Sequence, residues 1–243
     1  MLKILDVHTH ILPAVDDGAK DINESLKLLK MLKNQGVTDV VLTPHFTPSI
    51  ESFEERSEKW LSAYKELLKQ TDKKSLPYMH KGCEVFYFEG MGKIKAVKEL
   101  CIESSSYLLL ELALMNVSDK VISDIRDLNE QLGIIPIIAH IERYYNQKGF
   151  RKLKALVKEG VCIAQLNASS LFLPIFKKAA LKLLKEDLIY VIASDTHSQN
   201  TRPPEIAKAF KFIEEKYGSE RVEKYKRNSE IICNEISGKE NEK

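Results

Sequence analysis

The sequence predicts an α/β fold, a parallel sheet covered on its outside by helices. Seven apolar runs alternate with longer amphipathic segments along the chain. Strand–helix alternation is how parallel strands are connected, and such a sheet has to be covered. The length, 243 residues, suits one α/β barrel-sized core, and no repeat or linker divides it. A single domain over residues 1–243 is therefore expected, with a polar tail from about residue 236 to 243.

Leu2, Ile4, Leu5 and Val7 mark residues 2–10 as a first buried strand ending in Asp6-Val7-His8-Thr9-His10. A turn-rich loop follows, Ile11 to Gly18, with adjacent carboxylates at Asp16 and Asp17. Ile22, Leu26, Leu29 and Leu32 recur at helical spacing over 21–34, and Gly36 closes that helix. Residues 37–43 form a second strand leading to Thr43-Pro44-His45, and a charged helix runs from about Ser52 to Gln70. A third strand over 78–88 holds His80 and Glu84, and a helix over 91–100 leads to the strand Tyr107–Leu112, which has Glu111 inside it. The helix Ser118–Leu132 stops at Gly133, and the strand Ile134–Ala139 delivers His140. Another helix ends at Glu159-Gly160, a sixth strand spans 161–167, residues 174–186 are helical, and the strand Leu188–Ser194 ends at Asp195-Thr196-His197. Arg202 lies in the loop after it, and terminal helices complete the chain.

Composition narrows the function classes. Net charge is only +2, with basic residues scattered through helices, so no one-sided field for nucleic acid is expected. No apolar run approaches the ~20 residues needed to span a bilayer, and the N-terminus lacks a signal layout; a cytoplasmic protein is expected. Cys83, Cys101, Cys162 and Cys233 form no Cys-x-x-Cys pair, which favours free thiols. None is followed by an Arg six residues later, so a cysteine-nucleophile phosphatase loop is absent.

Catalytic side chains in parallel barrels gather at the C-terminal ends of strands. His8, His10, His45, His140 and His197 fall at such ends, together with Glu84, Glu111 and Asp195. On a strand, residues two apart share a face, so His8 with His10, and Asp195 with His197, point the same way. A carboxylate embedded in Leu108-Leu109-Leu110 needs a partner, which a divalent cation or a basic side chain supplies. One of Asp16 and Asp17 joins the set, although an Asp pair before Gly is also ordinary turn chemistry. Such a set is too large for one ion and suits two or three. Nitrogen and oxygen donors without thiolate point to Mn, Fe or Zn. His80, in mid-strand, is expected to be a packed histidine.

His8 and His10, Thr43-Pro44-His45, Gly82-x-Glu84, Glu111, Ala139-His140 with Glu142-Arg143-Tyr144, and Ser194-Asp195-x-His197 occur in that order. The ordered set resembles the PHP (polymerase and histidinol phosphatase) superfamily. With Ile11-Leu12-Pro13 through Asp16-Asp17-Gly18, it resembles more narrowly the bacterial manganese-dependent protein-tyrosine phosphatases of the CpsB/YwqE type, from about Met1 to Asn234. The resemblance implies a distorted seven-stranded (β/α) barrel of the PHP type, with three metals at its mouth and Mn2+ as the expected ion. It assigns His8, His10, Glu84 and Asp195 to a first metal. Glu84 bridges to a second completed by Glu111 and His140, and Asp17, His45 and His197 hold a third. Arg143 and Arg202 match phosphate-contacting arginines, whose forked guanidinium suits phosphate oxygens. Ile141 departs from the family, which commonly has Pro there.

The implied activity is hydrolysis of phosphotyrosine by a metal-bridging hydroxide, on a tyrosine kinase that controls capsule or exopolysaccharide synthesis. A phenol, with a pKa of about 10, leaves more readily than an alkoxide. The competing readings are a PHP phosphoesterase on a small metabolite such as histidinol phosphate, a kinase-binding regulatory module with weak catalysis, and a metal-dependent nuclease.

Overall fold

The structure is a computed structural model that describes residues 3–238 except 51, 72–74, 104 and 115. Among these residues there are nine strands: β1 (Leu5–Thr9), β2 (Asp39–Leu42), β3 (His45–Phe46), β4 (Tyr78–Lys81), β5 (Glu84–Phe86), β6 (Tyr107–Glu111), β7 (Ile135–Ile138), β8 (Ile163–Asn167) and β9 (Val191–Ala193). They form a three-stranded sheet, β1-β2-β4, and a six-stranded sheet, β3-β5-β6-β7-β8-β9. Every pairing is parallel. Seven α-helices accompany them: α1 (Ile22–Asn34), α2 (Phe53–Gln70), α3 (Asp119–Glu130), α4 (Phe150–Glu159), α5 (Pro174–Lys185), α6 (Ile206–Tyr217) and α7 (Ser219–Gly238). Local sequence explains their starts. Asp21 caps α1 by accepting from Glu24 N, Ser52 and Glu55 form a capping box on α2, and Ser118 caps α3.

The count of seven strands is not reproduced, because two expected runs are interrupted. The run expected over 37–43 ends as β2, with a separate short strand, β3, beyond it at His45–Phe46, and the run expected over 78–88 divides into β4 and β5. The breaks lie side by side: Gly82 N donates to Leu42 O and Glu84 N to Pro44 O, both at 3.1 Å. Pro44 has no N–H for the ladder. Gly82 marks a close approach, since a Cβ there would lie 2.7 Å from Val41 Cγ1. The double break carries His45 and Glu84 onto the six-stranded sheet, where they pair directly.

Two other expectations change. The helix expected over 91–100 is a pair of 3-10 turns, Met91–Lys93 and Lys95–Leu100, separated by extended backbone at Ile94. Gly92 sits so tightly on α3 that a Cβ would lie 2.7 Å from Asp124 O, which leaves no room for a continuous α-helix carrying a side chain there. The first residues of the expected polar tail, from about 236, are helical. Ile236 is buried and α7 runs to Gly238, while residues 239–243 lie outside the described residues.

The core has two layers. The larger packs helices against the sheets through residues such as Leu28, Leu32, Leu128, Leu153 and Leu183. The smaller is lined by Leu5, Val7, Val41, Leu109, Ile137 and Val191, and α7 closes it with Ile232, Cys233 and Ile236. The Ser229 hydroxyl fastens α7 to β1, accepting from Leu5 N at 2.6 Å. Beyond β9 the chain returns to β1. Asp195 N donates to His8 O and His10 N to Thr196 O, both at 2.9 Å, and Ser194 N donates to Asp6 Oδ1 at 2.9 Å.

Ile232 and Ile231 are neighbours on α7, with Ile232 fully buried and Ile231 exposed. Ile232→Ala should lower unfolding stability by about 2–5 kcal/mol. Ile231→Ala should stay within about 0.5 kcal/mol, both read by urea denaturation.

Candidate metal centre

The C-terminal ends of the strands bring nitrogen and oxygen donors into one space. His8 lies in β1 within the irregularity of its pairing with β2, between Asp6 and Thr9, and His10 follows the strand; their Nε2 atoms lie 3.1 Å apart. His140 and Asp195 follow β7 and β9 with left-handed backbone, φ 34° and 52°. Non-glycine residues rarely adopt this conformation, and it persists only where surroundings hold it. His140 N donates to Gln165 Oε1 at 2.7 Å, and Asp195 N to His8 O at 2.9 Å. The loop carrying Asp16 and Asp17 passes hard against His10. A Cβ on Gly18 would lie 2.1 Å from His10 O, so only glycine fits there.

Three groups of donors converge. In the first, Glu84 Oε2 lies 3.2 and 3.3 Å from His8 and His10 Nε2, and Asp195 Oδ1 lies 3.4 and 3.5 Å from the same atoms. A tetrahedral ion with bonds of ~2.1 Å spaces its donors about 3.4 Å apart. In the second, His140 Nε2 is 3.0 Å from Glu84 Oε1 and 3.5 Å from Glu111 Oε1. In the third, Asp17 Oδ1 lies 3.3 Å from His45 Nε2 and 3.4 Å from His197 Nε2. His45 also turns Nδ1 to Glu84 Oε2 at 3.0 Å, linking the groups.

The outer hydrogen bonds show that these atoms fit metal ions. His10 Nδ1 pairs with Asp16 Oδ2 at 2.7 Å, His8 Nδ1 with Gln165 Oε1 at 3.2 Å, and His197 Nδ1 with Asp195 O at 2.9 Å. Each partner is an acceptor, so in the neutral ring each Nδ1 holds the hydrogen and each Nε2 presents a lone pair inward. His197 Nε2 is buried with no hydrogen-bond partner. Lone pairs and carboxylate oxygens facing one another in a buried space call for a cation.

Gln165 and Asn167 lie outside the expected set, and of the pair Asp16 and Asp17 it is Asp17 that faces the other donors, with Asp16 behind His10. Asp16 also accepts from His45 N and Gly18 N, so it orients the loop and His10 together, while the more exposed Asp17 reaches the third group. Gln165 Nε2 donates to Asn167 Oδ1 at 2.8 Å, and Asn167 Nδ2 to Asp195 Oδ2 at 2.7 Å, joining opposite sides of the centre through β8. Alternation along β8 puts residues 165 and 167 on one face, a sequence signal present in the run ending at Asn167.

Charges in this space are strongly displaced. Burial disfavours a charged His10 ring, but the Asp16 and Glu84 carboxylates outweigh it and raise its pKa to about 10. Burial alone would raise Glu84, yet the surrounding imidazoles, His8 foremost, hold it well below the usual carboxylate range. Burial and the adjacent Glu84 charge push Glu111 up to about 7. Burial lowers His140 to about 4 and, with the neighbouring His10, His197 to about 3, leaving both rings neutral as ligands must be.

Arg143 and Arg202 frame the outer side. Both donate an Nη2 hydrogen to Asp195 Oδ2, at 2.9 and 2.8 Å, and Arg202 Nη1 lies 3.8 Å from Asp17 Oδ2. Together with Asp195 they form one wall of a cavity of about 240 Å³, whose other wall includes Leu173, Phe176 and Pro203.

Asp16→Asn should weaken divalent-metal binding about 10–100-fold in calorimetric titration, because the amide can present an N–H to His10 in place of a carboxylate oxygen. Glu111 is raised, so its ligating, ionised form is present above about pH 7 and lost below it. Divalent-metal affinity should therefore fall as pH drops from 8 to 6, and this dependence should become shallower in Glu111→Gln, with the part due to His10 remaining.

Residues 4–233 match the family described as "Capsular polysaccharide synthesis, CpsB/CapC". The chain is 31% identical over 231 residues to the tyrosine-protein phosphatase CpsB of Streptococcus pneumoniae, covering 90% of this chain and 93% of the relative. It is 34% identical over 233 residues to CpsB of Streptococcus agalactiae, covering 90% and 93%. A solved structure described among "YwqE from Bacillus subtilis and CpsB from Streptococcus pneumoniae, unique metal-dependent tyrosine phosphatases" superposes with a TM-score of 0.78 at 26% identity, covering 96% of this chain and 94% of the other. The chain thus belongs to the CpsB/CapC family.

Proposed function

We propose that residues 1–243 work as one metal-dependent protein-tyrosine phosphatase domain, acting in the cytoplasm on a phosphotyrosine protein. The family's link to capsular polysaccharide synthesis and the names of its relatives support a tyrosine kinase controlling capsule or exopolysaccharide synthesis as the substrate. The fold reading that accompanies it is a distorted seven-stranded PHP-type barrel. In that reading β2–β3 and β4–β5 each count as one interrupted strand, and the segment after β9 meets β1 through its backbone hydrogen bonds.

The observation that carries this function is the placement of two guanidinium groups at the rim of a buried donor cluster that needs cations. His8, His10, Glu84 and Asp195 hold the first ion, Glu84, Glu111 and His140 the second, and Asp17, His45 and His197 the third. The donor set suits Mn2+, with Fe and Zn as other ions of matching chemistry. When bound, the ions supply an activated water and neutralise phosphoryl charge. The protein residues do the remaining work. Arg143 and Arg202 bind phosphoryl oxygens with the N–H groups that Asp195 leaves free, and Asp195 fixes both forks in place. Leu173, Phe176 and Pro203 offer the phenyl ring an apolar wall next to those arginines. Such a wall suits an aromatic phosphoester better than histidinol phosphate.

The test is phosphate release from a phosphotyrosine peptide by the purified protein, with histidinol phosphate alongside. Release should require added Mn2+, stop with chelator and vanish in His8→Ala. Arg202→Ala should reduce kcat/KM about 10²–10³-fold with metal content unchanged. Preference for histidinol phosphate would move the function to a small metabolite. Bound metal without cleavage of any phosphoester would overturn the hydrolase reading and leave kinase binding as its successor.

A further inference from the structure

A second cluster of metal-ligating side chains lies at the other end of the strands, unused by the phosphatase chemistry. Asp39 opens β2, His80 lies in β4 and Cys233 in α7, and one donor atom from each falls within 4.8 Å of the others. All three are buried, at 5%, 1% and 0% exposure. His80 Nε2 is 3.1 Å from Asp39 Oδ1, and the Cys233 sulfur lies within 4.8 Å of these donors. The β2–β4 register sets His80 opposite Val41, two positions beyond Asp39, so both residues fall on the face whose core α7 closes. His80 Nδ1 is buried without a hydrogen-bond partner. A buried imidazole, carboxylate and thiol whose donor atoms converge make a ligand set for one divalent ion.

We propose that Asp39, His80 and Cys233 form a second, structural metal site for a zinc-class divalent ion, tying α7 to β2 and β4. The donors are a carboxylate oxygen, an imidazole nitrogen and a thiolate sulfur, a set that selects zinc or cobalt over manganese. Burial and the neighbouring Asp39 carboxylate push the Cys233 thiol up to about 11, so without an ion it keeps its proton. Binding forms the metal–sulfur, metal–nitrogen and metal–oxygen bonds and releases the thiol proton to solvent, while the hydrogen that His80 Nε2 shares with Asp39 moves to Nδ1 and the ring stays neutral. No oxidation state changes. The ion's two positive charges meet one carboxylate and one thiolate, so the buried site is neutral. The site shares no residue with the strand-end cluster and is independent of the phosphatase reading.

Cobalt distinguishes the two centres, because only a thiolate ligand produces sulfur-to-cobalt charge-transfer absorption in the near ultraviolet. The strand-end donors include no sulfur. Chelator-stripped full-length protein titrated with Co2+ should develop that band with one equivalent assigned to it, and His8→Ala should retain it. Cys233→Ser and His80→Gln should each lose it and bind one ion fewer. In the His8→Ala background, Zn2+ at about 100 times its dissociation constant should raise the thermal midpoint by a few degrees. That rise should disappear when Cys233→Ser is added. No charge-transfer band in folded unsubstituted protein, or a band that survives Cys233→Ser, overturns the proposal. If Cys233→Ser does not fold, the spectra of the unsubstituted protein and His80→Gln decide it.

Discussion

The Glu84 carboxylate is the constraint around which the rest of the structure is arranged. It is fully buried, yet its two oxygens sit within hydrogen-bonding or ion-pairing reach of His8, His10, His45 and His140. A buried charge is tolerated only when paired, and removing one partner leaves the others uncompensated. Here one acid is shared by four imidazoles from different strand ends. The double break at Pro44 and Gly82 exists at the place where Glu84 and His45 must enter that space together.

Around this centre, rigidity comes from groups that lie behind the converging donor atoms. Asp16, Gln165 and the Asp195 carbonyl each take the outer nitrogen of an imidazole, which fixes the ring and its tautomer. Asp195 does several things at once. Its Oδ1 faces the first donor group, its Oδ2 collects Asn167, Arg143 and Arg202, and its backbone closes onto His8. The left-handed backbone at His140 and Asp195 is the conformational cost of aiming these two side chains inward, and the surrounding hydrogen bonds hold it.

The two ends of the strands divide the chemistry by donor type. Imidazoles and carboxylates occupy the C-terminal mouth. The other end is closed by α7, and the buried polar cluster there includes a thiol. Ile232, Cys233 and Ile236 come from one face of α7, so the packing of the inner core and the placement of Cys233 beside His80 are the same structural event. That juxtaposition explains why His80, read from sequence as a packed histidine, is packed against an acid and a thiol rather than among apolar groups alone.

The sequence by itself determined the α/β class, the alternation of strands and helices, and the identities of the residues that meet at the strand ends. Period-two and helical patterns are local, and a histidine or acid at the end of an apolar run is visible without coordinates. Tertiary structure alone decided where strands break, which donors share a space and which groups orient them. The Pro44–Gly82 break depends on two chains passing 2.7 Å from an imagined Cβ, a contact between residues roughly forty positions apart in sequence. Gln165 reaches His8 and His140 across 157 and 25 residues, and Cys233 reaches Asp39 from the last helix. The extension of α7 past Ile236 was likewise invisible in a polar stretch, because what holds that turn in the helix is the interior it plugs. Local pattern encodes which residue types a strand end offers; only packing decides which of their atoms come within bonding distance.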